Sequence, residues 1–398
     1  MSAACQAIRA EKQLLVCCAR THLQPFAADE IRRLLSLPLD WDFLLAEAAA
    51  HSVSPLLLRH IGSIAPASAQ AAPIVRLKDH VRAASVHSLV LTAELIRILE
   101  AFATAGIEAI PYKGPVLAAR AYGDIALREF ADVDLVLCQH EIAAANELLV
   151  RLGFAPQFPA IFAPGKRSPL IPGEYDYRER ERHLTIELHT ERTLRHFPLP
   201  PDLGKLARRF ETVRLSGHDV HTFSPEDTLV FLCVHGSKDF WERIVWVADI
   251  SQLLASNPAL DWNRVYAFAD SVLARRILHL GLALADSLLG ISLPDQIRER
   301  VVRDAVALSI AEQMRNRLLG KSSLPPGARA SFAYRCRMVP SSIAGFRYAM
   351  RLATAPAAED WHCFRLPRPL APLYAALRPF RLLRKYGPSQ ESPAPPPS

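Results

Sequence analysis

No two cysteines in this sequence stand at C-x-x-C spacing. The seven, at positions 5, 17, 18, 138, 233, 336 and 363, are odd in number and scattered. That pattern argues against a disulfide framework or a zinc site and points to a reducing, cytoplasmic compartment. A secretory leader is also not expected, because MSAACQAIRAEKQLLVCCAR carries a Glu-Lys pair and no clean apolar run ending in a cleavage site. Long apolar runs are missing too. The two most apolar windows, IVWVADISQLLA and LHLGLALADSLLGISL, are interrupted by Asp249 and Asp286 and are too short to span a bilayer, so they read as buried helices. There is no internal repeat and no recognisable RNA- or DNA-binding module, so neither nucleic acid is an expected partner. The net charge of +7 suits an anionic substrate but is too mild to mark a nucleic-acid partner.

What is present is a chain of 398 residues, half of them hydrophobic. That length implies two to three units with a sizeable core. Residues 1–85 read as a helical N-terminal region, with apolar residues at three- and four-residue spacing and a small-residue stretch, IAPASAQAAP, near its end. Residues 86–223 alternate helix and strand, an α/β (α+β) core built on a small mixed sheet. In it, Ser88 to Ala105 is expected as a helix stopped by Gly106, Ile107–Pro111 and Ala131–Leu137 as strands, and Glu141–Leu152 as a helix. The stretch 155–182 reads as a long surface loop. Residues 224–320 read as a helical domain that starts at Ser224-Pro225-Glu226-Asp227, with helices at 242–256, 262–290 and 295–319. Residues 321–386 form a basic C-terminal region, and 387–398 a disordered tail rich in proline and serine.

The chemistry centres on Asp132-Val133-Asp134. Successive strand side chains point to opposite faces, so the two carboxylates project together while Val133 and Leu135 pack behind them. Two fixed carboxylates are a natural seat for Mg²⁺ or Mn²⁺, and Glu187, inside HLTIELHT, would be a third on a neighbouring strand. An acidic-x-acidic triplet alone is weak, since a chain with 40 acidic residues yields about four by chance. Its setting is more specific. Lys113-Gly114-Pro115 is a turn that opens a helix, whose free N–H groups can face a phosphate, and Arg128 precedes the Asp pair.

In combination these segments resemble the DNA polymerase β-type nucleotidyltransferase superfamily. More closely, YKGPVLAARAYGDIALREFADVDLVL, TIELHTE and SPEDTLVFLCVHGSKDFWERIVWVADI are similar to a bacterial family of uncharacterised nucleotidyltransferases. That family shares a KG turn, an R-x-x-x-D-x-D strand, an E-L-H strand and a helical H-x-x-K-x-x-W segment. The resemblance implies that Asp132, Asp134 and Glu187 are catalytic and hold the metal. It implies that Lys113, Gly114 and Arg128 meet the phosphates of a nucleoside triphosphate, and that a hydroxyl-bearing acceptor is the second substrate. His235 and Lys238, three residues apart on one helix face, would reach the nucleotide from the helical domain, and His189 would lie beside the metal or the acceptor. The chain departs from the superfamily at Pro115, where a serine is usual, which removes a hydroxyl and a backbone donor.

Other readings of the same residues are a tailoring transferase of a peptide or polysaccharide pathway, or an inactive binding or regulatory protein on the same fold. Trp241, Trp246 and Asp249 read as packing and capping residues. His218-x-x-His221 lacks further ligands for a metal. The basic segment YAALRPFRLLRKYG reads as a helix packed back on the protein with its arginines solvated, in preference to a membrane-surface element.

Overall fold

Five short strands form the sheet on which the predicted site rests: β1 Ile110–Pro111, β2 Val133–Val136, β3 Ala155–Pro156, β4 Tyr175–Glu179 and β5 Leu184–His189, in the order β1-β2-β5-β4-β3. The computed structural model describes residues 8–64, 71–157, 175–190, 194–320, 327–355, 360, 366, 370 and 373–386. β2 and β5 are parallel, and the other three pairings are antiparallel. A parallel pair needs a crossover, and the connection from β2 to β5 includes the helix Ile142–Arg151. The expected α/β class with a small mixed sheet is what the chain adopts.

Alternation along the strands sorts the sheet into two faces. Val133, Leu135, Ile186, Leu188, Tyr175 and Tyr177 are buried in one cluster with Leu91, Leu95, Ile98 and Phe102, and with Ile142, Ala145 and Leu149. The first of those helical sets belongs to a single helix, Ala71–Thr104, of 34 residues. The limit expected after residue 85 therefore falls inside a continuous helix. Pro73 does not break it, because it stands in the first turn, where no intrahelical N–H bond is lost.

A second cluster joins the N-terminal helices to those after Ser224. Leu14, Leu15 and Cys18 of the helix Ala10–Cys18 are fully buried in it with residues of Pro225–Lys238, Ile244–Ser256, Arg275–Leu289 and Ala305–Leu319. Thr21 Oγ1 donates to Gln252 Oε1 at 2.6 Å, and Lys12 Nζ donates to the carbonyls of Leu318 and Gly320 at 3.3 and 3.0 Å. Among the described residues no helix is long and apolar enough to cross a membrane, and the five described cysteines are free.

Several boundaries differ from expectation. The strand expected over 131–137 begins only at Val133, leaving Asp132 just ahead of it, and the one expected over 107–111 is reduced to Ile110–Pro111. The loop expected over 155–182 contains β3 and β4; residues 158–174, like the tail 387–398, lie outside the described residues. A hairpin of β6 Glu211–Leu215 and β7 His218–Thr222 turns at Ser216-Gly217, both with positive φ as such turns require. The helix expected over 262–290 is two, Trp262–Ser271 and Arg275–Leu289, broken where Leu273 takes φ +56°. That over 295–319 divides at Asp304, whose side chain caps the second half by accepting from Ala307 N. The C-terminal helices do pack back, but with arginines partly buried rather than solvated. Arg378 pairs with Asp360 at 2.7 Å, and Arg351 donates to the carbonyl of Arg195 at 3.0 Å.

Candidate active site

The site begins at the turn that leaves β1. Lys113 is extended, and Gly114 opens a short helix, Gly114–Leu117, that continues as a π-helical turn over Ala118–Tyr122 and stops at left-handed Gly123. Gly114 has φ +53°, and a Cβ placed on it would lie 3.2 Å from the Asp132 carbonyl oxygen. Glycine is thus required twice over, for the backbone angle and for the approach of this turn to the entry of β2. The Lys113 side chain is thereby held over the carboxylates.

Register places the acidic groups. Asp134 on β2 is paired with Glu187 on β5, and Val136 with His189. Asp134 and Glu187 share a face, and His189 follows Glu187 by two residues on that face. Lys113 Nζ lies 2.7 Å from Asp134 Oδ1, and His189 Nε2 lies 3.0 Å from the same oxygen and 3.6 Å from Glu187 Oε2. Burial alone would raise the Asp134 carboxyl, but Lys113 and the His189 hydrogen bond hold it well below the usual carboxylate range. Burial and the neighbouring Asp134 charge push Asp132 up to about 6, against the pull of Lys113. Burial would lower the Lys113 ammonium, and Asp134 and Asp132 more than reverse that, so it stays charged.

The donor set fits a divalent cation. The ligand atoms of Asp134, Glu187 and His189 lie within 4.8 Å of one another. Two carboxylates suit Mg²⁺ or Mn²⁺, and an imidazole is better tolerated by Mn²⁺. Asp132 lies outside that compact set, and His189 lies inside it, where the sequence expectation had Asp132, Asp134 and Glu187 as the ligands.

The helical layer also reaches Lys113. His235, near the end of the helix Pro225–Lys238 that Ser224 caps, brings Nδ1 to 3.5 Å from Lys113 Nζ and stands edge-on to Trp246 at 5.2 Å. Burial, then the charges of Lys113 and Lys238, press the His235 imidazole well below its ordinary value, so the neutral ring can accept from the lysine. Lys238 lies one turn further on, and its carbonyl accepts from Arg335 at 3.3 Å. Trp241 is a packing residue as expected: its ring fills the space a side chain on Gly236 would take, with a Cβ there falling 2.5 Å from the ring.

Arg128 departs from its expected role. It is buried and bound fork to fork by Asp249, Nε to Oδ1 at 2.7 Å and Nη2 to Oδ2 at 2.8 Å, and the Tyr122 hydroxyl donates to the same carboxylate at 2.7 Å. Nε and Nη2 of Arg128 are therefore engaged by Asp249, which is neither cap nor apolar filler. The signal for this pair was in the sequence: one carboxylate inside IVWVADI must find a partner when the helix is buried. Asp176 is another residue that sequence reasoning passed over. It pairs in register with Glu187 from the far side, so Asp134, Glu187 and Asp176 form a row across three strands.

The chain matches the model of a family described as uncharacterised nucleotidyltransferase over residues 38–290. No curated protein matches it. Among solved structures it is similar to the crystal structure of an antigenic nucleotidyltransferase-like protein from Paracoccidioides brasiliensis, with 16% identity and a TM-score of 0.34, covering 56% of this chain and 92% of that one. That likeness is too loose to bear on the site. The family match takes in β1 to β5, the Lys113-Gly114 turn, the acidic row and the helices that carry His235 and Asp249, and on that match the chain belongs to the uncharacterised nucleotidyltransferase family.

Proposed function

We propose that this protein transfers a nucleoside monophosphate from a nucleoside triphosphate to a hydroxyl-bearing acceptor, with Mg²⁺ or Mn²⁺, releasing pyrophosphate. The observation that carries this reading is the parallel pairing that sets Asp134 beside Glu187 under the Lys113 ammonium. Asp134, Glu187 and His189 hold the cation, and Asp132 completes its surroundings. When bound, such a cation neutralises phosphate charge and orients the α-phosphorus for in-line attack. Lys113 and the backbone after Gly114 face the phosphates, with His235 and Lys238 approaching from the helical layer. Arg128, tied to Asp249, fixes the segment that leads into β2 to the helical layer. Glu187, half-buried at the rim, is the group placed to take the proton of the attacking hydroxyl. The acceptor is a small molecule, sugar, peptide or protein side chain.

Calorimetric titration of each nucleoside triphosphate with Mg²⁺ and with Mn²⁺ tests this. One triphosphate should bind only with the cation. Asp134→Asn should weaken that binding by more than the roughly 10- to 100-fold lost when a residue behind the ligands of a metal site is changed. A folded protein that binds none of them would rule the reading out.

A further inference from the structure

Asp134 Oδ1 already has two partners, and one of them carries a full positive charge. Lys113 Nζ stands 2.7 Å away and His189 Nε2 3.0 Å away, while Asp134, His189 and Glu187 are together the donor set that suits a divalent cation. An ammonium in contact with a carboxylate and a dication on that same carboxylate repel each other strongly in a poorly hydrated site. Lys113 also has somewhere to go. Its backbone is fixed by the Gly114 turn against Asp132, but its four-carbon stem is flexible, its side chain is 11% exposed, and His235, on a helix of the other layer, offers an acceptor 3.5 Å from Nζ.

Resting on the nucleotidyl-transfer reading, we propose that Lys113 is a resident cation which the metal must displace from Asp134, and which then serves the triphosphate. Without the cation, the lysine neutralises a carboxylate that is 2% exposed and that would otherwise be costly to bury. With it, the lysine swings toward His235 and the phosphates. The site thus binds the bare cation weakly and the cation with its triphosphate well, because the triphosphate gives the displaced ammonium a new partner.

The test is Mn²⁺ binding to the full chain, followed by the electron paramagnetic resonance signal of free Mn²⁺, first without and then with the triphosphate that calorimetry identifies. Lys113→Met should bind bare Mn²⁺ at least tenfold more tightly than wild type, and Lys113→Arg should not. The added Asp134→Asn change should abolish the gain. With triphosphate present the sign should reverse, Lys113→Met binding the Mn²⁺ complex more weakly than wild type. A merely structural lysine would weaken both. Mn²⁺ should also raise the melting temperature of Lys113→Met by more than that of wild type, and Lys113→Gln serves if the methionine variant does not fold. Bare-cation affinity unchanged or reduced in a folded Lys113 variant overturns the displacement. If neither wild type nor variant binds Mn²⁺ with or without triphosphate, the metal-dependent reading itself fails.

Discussion

Asp249 accepts from three donors while only 1% exposed. Removing its charge leaves the Arg128 guanidinium buried without the carboxylate it is bound to, a loss of about 3–5 kcal/mol. Asp249→Asn should therefore lower the free energy of unfolding by about that much in urea titration, and an unchanged midpoint would refute the assignment. Arg128→Lys should come close to it, because an ammonium cannot make the paired contacts of the fork. These residues show what was legible at this scale. That Asp134, Glu187, His189 and Lys113 would come together was readable because strand alternation and a glycine turn are local patterns, whereas Asp132 stands ahead of the strand and outside the compact set. The bond from Arg128 spans 121 positions, and no local pattern encodes which charge will meet which at that separation.

Among the elements, the helix Pro225–Lys238 carries a titration of its own. Asp227 in its first turn is almost fully buried, and burial pushes its carboxyl up to about 6 even though Arg209 donates to it at 2.8 Å. The folded protein then keeps a proton between about pH 4 and 6 that the unfolded chain has released, so this group makes stability fall as pH rises through that window. The melting temperature of Asp227→Asn relative to wild type should climb from pH 4 to pH 7; a difference flat across that range would count against it. In the same helix, Gly236→Ala drives a methyl into the Trp241 ring and should cost about 1–3 kcal/mol, read by thermal unfolding. Helices with strong caps, such as this one, were legible in the sequence. β4 was hidden because YDYRE runs into the charged stretch RERER, and the charges of the shared Arg178 and Glu179 masked the period-two burial of Tyr175 and Tyr177.

At the scale of the whole molecule, the described residues hold two apolar clusters, and the N-terminal helices belong to the one that contains the helices after Ser224. The sequence showed amphipathic helices before residue 85 but not which surface they would cover, since an apolar stripe says only that something must. The family match begins at residue 38, yet Leu14, Leu15 and Cys18 are wholly buried. A chain lacking residues 1–37 keeps every proposed site residue and uncovers the surface those side chains fill. It should melt at least several degrees lower and self-associate in size-exclusion chromatography; a monomer of unaltered stability would show that the first helices are dispensable.

The bonds from Lys12 to the carbonyls of Leu318 and Gly320 also bear on how the protein is made. They join residues 306 and 308 positions apart. At roughly 5–20 residues per second, ribosomal synthesis brings those partners out on the order of 15–60 s after the first helix has emerged. Through that interval Ala10–Cys18 can pack on Pro25–Leu35, Trp41–Ala50 and Ser54–Ile64, but the side that meets the helices after Ser224 stays uncovered. The side of these N-terminal helices that meets the later ones is thus covered only after most of the chain has been made, which makes it a natural handhold for a chaperone on the nascent chain.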